Sequence, residues 1–213
     1  MWVRGEILLT EWIYLLVAAS LIFSQLFFLN AFLFAETAPP PWLGRIEAGR
    51  ESFQQTRYVD ALEHFRAAQE TGEKGHWPAE VRGQVLTSIG GCLLGLSDYK
   101  GALAQFLAAR PYTVEGGNRE HLAALDANMA SVYLYQGDGE NAAKLYRQAL
   151  RWLADRPGSG HRPPILANLG VVEMQAGRYR RALEYEEAAL GALPGSAGGE
   201  RRAAIEDLRG IAW

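Results

Sequence analysis

Residues 128–150, NMASVYLYQGDGENAAKLYRQAL, contain two helical patterns separated by a short glycine-rich break. In both halves, apolar side chains recur at intervals of three and four, which is the spacing of an amphipathic helix. The break itself reads QGDG, and glycine at such a point interrupts a helix. This stretch therefore predicts a helical hairpin.

The same pattern recurs along the chain with a nearly constant period. Each unit has a small residue in its first helix, an alanine twelve positions later, and a bulky residue four positions after that alanine. A fixed period of roughly 40 residues with two helices per unit predicts an α-solenoid. The small residues are Gly49, Gly90, Ala130 and Gly170, the alanines are Ala61, Ala102, Ala142 and Ala182, and the bulky residues are Phe65, Phe106, Tyr146 and Glu186.

The segments FQQTRYVDALEHFRAA, GLSDYKGALAQFLAA and NLGVVEMQAGRYRRALEYEEAAL carry a resemblance to a known family. Together with the period, they resemble the tetratricopeptide repeat in its long form, over roughly residues 42–213. Two positions depart from that pattern. Gly139 stands where Tyr58, Tyr99 and Tyr179 begin the second helices of the other units, and Glu186 replaces a packing aromatic that its neighbour Tyr185 could supply.

We expect an all-α protein, in which an N-terminal transmembrane helix precedes four helical hairpins and a C-terminal capping helix. Pro111 to Gly117 and the loop PGSGHRPP at 157–164 are read as links between hairpins. The expected segments are an anchor at 1–36, a proline-rich spacer at 37–41, repeats at 42–198 divided as 42–78, 79–117, 118–162 and 163–198, and a cap at 199–213.

Residues 12–35 form an apolar run without a charged side chain. As a helix, the run would reach about 36 Å, enough to cross a hydrocarbon core of about 30 Å. Its length argues against a cleaved signal peptide, so it is interpreted as a single-pass anchor in the lipid bilayer. The side chains expected to contact another membrane helix are Ser20, Ser24, Gln25, Asn30 and Ala31, and the alternative is a plain tether with a few tolerated polar atoms.

The localisation that follows is a membrane, with a bacterial inner membrane as the expected one. Arg4 is the sole positive side chain before the apolar run, which favours an N-terminus inside the cell and a repeat domain on the extracytoplasmic side.

Composition excludes several classes of function. The formal net charge of −3 does not give the basic surface that nucleic-acid binding needs, so no nucleic-acid partner is expected. The single cysteine, Cys92, cannot form an internal disulfide. His76 and Glu80 are four positions apart, but Pro78 between them is expected to begin a helix and leave His76 in a loop. No catalytic residues, metal ligands or cofactor are predicted, and the chain is not expected to be an enzyme.

The resemblance implies that the first helices of the units line a concave groove, in which an asparagine grips the backbone of a bound peptide. Asn128 and Asn168 hold that position here, and an amide can donate and accept hydrogen bonds at once. The alternative is that both amides only bond a neighbouring helix. The other groove candidates are Ser88, Ser131, Tyr135, Met174 and Gln175.

Two functions follow. The favoured hypothesis is a membrane-anchored scaffold that serves as an accessory or assembly subunit of a larger complex, with integral membrane subunits as its partners. The alternative is a membrane-tethered adaptor whose groove captures an extended peptide from a client protein.

Overall fold

The computed structural model describes residues 39–74 and 77–193, together with Gln25. Within these residues the chain is all-helical, and its eight helices pair into four antiparallel hairpins. The helices are α1 (Leu43–Gln54), α2 (Tyr58–Glu73), α3 (Ala79–Gly95), α4 (Tyr99–Glu115), α5 (Arg119–Tyr135), α6 (Gly139–Trp152), α7 (Arg162–Gln175) and α8 (Tyr179–Gly191).

Successive helices pack side by side, and the first helices of neighbouring hairpins also meet, α3 with α5 and α5 with α7. This arrangement is that of an α-solenoid, because each hairpin contacts the next one along the chain. No helix in the described ranges is both long and apolar enough to cross a membrane.

The small residues of the repeat lie under the bulky residues, as the spacing predicts. A Cβ atom added to Gly49 would lie 2.7 Å from the ring of Phe65, and one added to Gly90 would lie 2.5 Å from the ring of Phe106. Real Cβ atoms do not approach so closely, so in these two hairpins glycine is needed for the aromatic ring to pack against the first helix as it does. In the third hairpin, Ala130 and Tyr146 are both fully buried in one apolar cluster.

Each first helix ends in the same hydrogen-bonded turn. In the fourth hairpin, the amides of Gly177 and Arg178 donate to the carbonyls of Met174 and Glu173, and Gly177 has φ +72°. This is the Schellman arrangement that commonly closes a helix. The equivalent left-handed residues of the other turns are Thr56, Ser97 and Gly137.

The helices exceed the predicted boundaries where prolines occur. The sequence predicts a link at Pro111 to Gly117, but α4 continues through Pro111 to Glu115. Proline removes one helical hydrogen bond, here at the carbonyl of Leu107. Both Leu107 and Pro111 lie on the exposed side of α4, where water can replace that bond, and the buried Thr113 holds the following turn against Gly83.

The loop predicted at 157–164 is also shorter than expected at its C-terminal end. Helix α7 begins at Arg162, inside the stretch read as a loop, with proline at its first positions. Proline is well tolerated there because the first amides of a helix have no carbonyl partner. Asn118 caps α5, since its side chain accepts hydrogen bonds from the amides of Glu120 and His121.

Several predictions lie outside the described residues. These are the span at 12–35 apart from Gln25, the capping helix, and His76. Gln25 is helical and exposed. The other side chains expected at a membrane-helix contact, Ser20, Ser24, Asn30 and Ala31, are not described.

Candidate functional site

A cavity of about 610 Å³ lies against the first helices of the first three hairpins and is called the groove below. Its lining combines hydroxyl and amide groups with aromatic rings. The lining residues are Arg50, Phe53, Gln54, Tyr58, Phe65, Thr87, Ser88, Gly91, Leu94, Gly95, Ser97, Tyr99, Asn128, Ser131 and Tyr135.

Aromatic side chains are concentrated where the hairpins turn. Phe53 meets Tyr58 edge to face at 5.4 Å between ring centroids, and Tyr99 stacks on Tyr135 at 6.0 Å. Tyr135 nevertheless keeps 64% of its surface exposed. An exposed, rigid ring that is already held by a neighbour offers contact area to a ligand at a low cost in conformational entropy.

Two hydroxyl groups of the groove are already engaged. Thr87 donates to the carbonyl of Gly83 at 2.8 Å, and Ser131 shares a hydrogen bond of 2.8 Å with the Tyr146 hydroxyl. Burial raises the pKa of Tyr146 to about 12, although the hydrogen bond with Ser131 opposes the rise. By contrast, the Asn128 amide lines the cavity and makes no hydrogen bond to the part of the chain that is described.

A second cavity of about 250 Å³ adjoins the groove and shares Arg50, Thr87 and Ser88 with it. Its lining includes several ionisable side chains, among them Glu80 and His121. Glu80 accepts from Asn118 at 3.2 Å and lies 3.2 Å from the His121 ring. Histidine and carboxylate are both metal ligands, but no group of three or more such side chains is suitably clustered in residues 39–74 and 77–193.

The structure brings together four of the seven predicted groove residues. Ser88, Asn128, Ser131 and Tyr135 line the groove. Asn168, Met174 and Gln175 do not, because the cavity ends at the third hairpin.

Asn168 instead lies near the hydroxyl of Tyr146, where it opposes the rise in the pKa of that tyrosine. The alternative interpretation, an amide that bonds a neighbouring helix, stays a prediction for Asn168, and the peptide-binding interpretation stays a prediction for Asn128.

Sequence reasoning missed the aromatic wall of the groove. Tyr58 and Tyr99 stood out only as repeat-packing residues, although they also line the cavity. Phe53 lies one repeat period before Leu94, a residue of the same face, so the period could have identified it.

A third cavity, of about 430 Å³, lies between the third and fourth hairpins and is called the notch below. It shares no lining residue with the groove. The notch is lined by Gly137, Gly139, Glu140, Ala143, Arg147, Val172, Gln175, Ala176 and Arg178.

A buried acid lies beside the notch. The Glu173 side chain is 1% exposed and pairs with Arg147 at 3.4 Å and with Arg178. The hydrogen bond from Arg178, together with the charges around it, lowers the pKa of Glu173 below its ordinary value despite burial. Because Arg147 and Arg178 lie on successive hairpins, this acid ties the third hairpin to the fourth.

Comparison with known proteins identifies the repeat. The family model of the tetratricopeptide repeat matches residues 121–194. These residues are tetratricopeptide repeats. The match covers the third and fourth hairpins, and the first two have the same two-helix design. No curated protein sequence matches the chain.

Solved structures share the fold at low identity. The chain is similar to the Rap conjugation gene regulator of plasmid pLS20, solved with the Phr* peptide, at 19% identity and TM-score 0.63, over 69% of this chain and 41% of that one. It is similar to BtubC from P. vanneervenii at 18% identity and TM-score 0.57, over 68% and 59%. It is also similar to PilF of Pseudomonas aeruginosa at 18% identity and TM-score 0.56, over 83% and 74%.

The chain thus spans about three fifths of BtubC and two fifths of the Rap regulator. At these identities the likeness concerns the fold alone. The tetratricopeptide fold is generally a non-catalytic module for binding other proteins, and the third and fourth hairpins of this helical repeat chain match its family model.

Proposed function

We propose that this chain is a non-catalytic adaptor that binds an extended peptide of a partner protein in the groove. The observation that carries the proposal is the groove itself, a cavity of about 610 Å³ that combines a free amide with exposed rings. An extended peptide presents unpaired backbone N–H and C=O groups, and an asparagine amide can bond both kinds.

The two ends of the groove favour different side chains of the peptide. Around Phe53, Leu94 and Tyr135 the wall is apolar and aromatic, which suits an apolar or aromatic residue. At the other end Arg50 bonds Gln84 at 3.1 Å and still reaches the cavity, which suits an acidic residue. The peptide of highest affinity would therefore carry an apolar residue and an acidic residue at opposite ends.

Selection from a random peptide library on the full-length chain, kept in solution by a mild detergent, tests this proposal. The selected peptides should bind the Asn128→Ala variant about tenfold more weakly, because the lost amide removes one or two hydrogen bonds worth about 1 kcal/mol each. Tyr135→Ala should weaken binding by a similar factor. Isothermal titration calorimetry measures both.

The matched control is Leu107→Ala, which removes a side chain that is 53% exposed and lies outside the groove. This variant should bind the peptides as the original chain does. The proposal would be contradicted if Leu107→Ala lost as much peptide affinity as Tyr135→Ala. It would also be contradicted if Asn128→Ala and Tyr135→Ala bound the peptides as the original chain does.

A second candidate is an accessory subunit of a membrane complex, held by a membrane helix at 12–35. The apolar run and its polar stripe in the sequence support this function. Affinity purification of the full chain, beside a fragment that starts at Pro39, separates the candidates. If membrane proteins co-purify in stoichiometric amounts with the full chain but not with the fragment, the result favours the subunit. If the same partners co-purify with the full chain and with the fragment, the result favours the adaptor.

A further inference from the structure

Tyrosines at the start of the second helices cover the junctions between the first hairpins. Tyr58 lies over Gly95 of the next hairpin, so that a Cβ on that glycine would lie 2.7 Å from the ring. One repeat later, Tyr99 stacks on Tyr135, with ring planes 11° apart. Gly95 and Tyr135 are themselves one repeat period apart. The tyrosine of each hairpin thus rests on the same position of the following one.

The third hairpin lacks this side chain. Its equivalent position is Gly139, and the position that the ring would cover is Gln175, one repeat period after Tyr135. Both residues line the notch, and a Cβ on Gly139 would make only an ordinary contact, 3.6 Å from Val172. The notch therefore occupies the place that a tyrosine ring fills at the two preceding junctions.

The notch is large enough for an aromatic ring. Its volume is about 430 Å³, whereas a cavity of roughly 150 Å³ accepts benzene. Because Gly139 has no side chain, nothing from its own position fills the space.

The chemistry of the walls also favours a ring. Arg147 and Arg178 line the notch and keep 47% and 48% of their side chains exposed, while Glu173 holds both guanidinium groups in place. A fixed guanidinium attracts the face of an aromatic ring. The same chain shows that contact elsewhere, where Arg82 lies 4.4 Å from the centre of the Tyr112 ring.

We propose that the notch binds an aromatic side chain of a partner protein, in the place that Tyr58 and Tyr99 occupy at the preceding junctions. The ring would lie between Gly139 and Gln175 and against the two arginines. This site goes beyond the groove, with which it shares no lining residue. The notch would bind a second segment of a partner protein. Binding in the groove and binding in the notch can therefore be lost independently.

The test uses N-acetyl-L-tyrosinamide, a tyrosine side chain with a capped backbone, and saturation-transfer-difference NMR on the full-length chain in mild detergent. The original chain should transfer saturation to the ring protons. Gly139→Tyr places the chain's own ring in the notch, so the transferred signal should fall about fivefold, as expected for a contact of about 1 kcal/mol.

Gly139→Ala is the matched control, because it adds a methyl group that fits at an ordinary distance and leaves the notch open. This variant should keep the original signal. Gln175→Trp closes the notch from the opposite wall, should also lose the signal, and provides the test if Gly139→Tyr does not fold.

A signal that is equal in the original chain and in the filled variants would overturn the proposal. It would also be overturned if N-acetyl-L-leucinamide received saturation as strongly as the tyrosine probe, since the site would then not select a ring. Selected groove peptides should bind Gly139→Tyr unchanged, which distinguishes failure of this site from failure of the groove.

Discussion

The second and fourth hairpins place very different side chains at one equivalent position. In the second, the Phe106 ring lies against Gly90 and is fully buried. In the fourth, Glu186 takes the place of the ring, and its carboxylate oxygen would lie 3.0 Å from a Cβ on Gly170. The neighbouring Tyr185 packs against the apolar cluster instead, as the sequence suggested.

This difference shows what the repeat requires. The position needs a side chain long enough to reach the small residue of the facing helix, and it tolerates a carboxylate in the last described hairpin. The cost appears in the ionisation of that carboxylate, since desolvation raises the pKa of Glu186 above its ordinary value. Both hairpins thus have the same fold, but different side chains stabilise it at this position.

Removal of the ring in the second hairpin should have the largest effect on stability. Phe106→Ala leaves a cavity in a closely packed core, so we expect a loss of about 3–5 kcal/mol in the free energy of local unfolding. Hydrogen exchange of the amides in α3 and α4 of the full chain measures it. The neighbouring Leu107→Ala should change little, and equal losses for the two variants would contradict the packing described here.

Neutralisation of the buried acid at the last junction should have an intermediate effect. Glu173→Gln removes the charge that Arg147 and Arg178 share, and we expect a loss of about 1–2 kcal/mol at neutral pH, limited by solvent screening of the half-exposed guanidiniums. Hydrogen exchange in α7 measures this loss. The exposed acid Glu63 provides the control variant, Glu63→Gln.

The loss should depend on pH in a defined direction. The folded-state pKa of Glu173 lies below its unfolded value, so its contribution is complete above the unfolded pKa and disappears as the pH falls through the folded pKa. The original chain and the Glu173→Gln variant should therefore become equally stable in acid. A difference that grew on acidification would show that the ion pair does not stabilise the junction.

The smallest effect is expected at Glu186, with the opposite sign. Its folded-state pKa is raised, so ionisation at neutral pH disfavours the folded state, and this penalty is absent below the unfolded pKa. Glu186→Gln should be more stable at neutral pH by about 0.5 kcal/mol, since the half-buried carboxylate still reaches water. Hydrogen exchange in α8 measures this gain in stability. An equally large gain for Glu184→Gln would show that desolvation of the Glu186 carboxylate is not the cause.

The repeat period was sufficient to predict the hairpins and their internal contacts. Gly49 with Phe65 and Gly90 with Phe106 follow from spacing alone, because a helical hairpin brings residues at fixed offsets together. The end of α4 could not be predicted in this way. Packing of Thr113 against Gly83 overrides the tendency of Pro111 to stop a helix, and that contact is not local in sequence.

The candidate site was predictable only in part. The period identified Ser88, Asn128, Ser131 and Tyr135 as members of one face. It could not show that Asn168 lies near Tyr146 and outside the groove, because Tyr146 belongs to the neighbouring hairpin. The sequence shows that Gly139 departs from the repeat pattern. It does not show that this departure leaves the cavity of the notch.

The two buried acids make the serial order of the hairpins specific. Asp126 receives hydrogen bonds from Arg110 of the second hairpin and, at 2.8 Å, from Trp152 of its own hairpin, just as Glu173 depends on Arg147 of the third. If either hairpin were stacked on a different neighbour, Asp126 would lose Arg110 and Glu173 would lose Arg147, although Glu173 would keep Arg178 of its own hairpin. A buried carboxylate left without an arginine, as Asp126 would be, costs about 3–5 kcal/mol. Helical repeats of such similar shape could otherwise exchange places, or pair with those of another molecule.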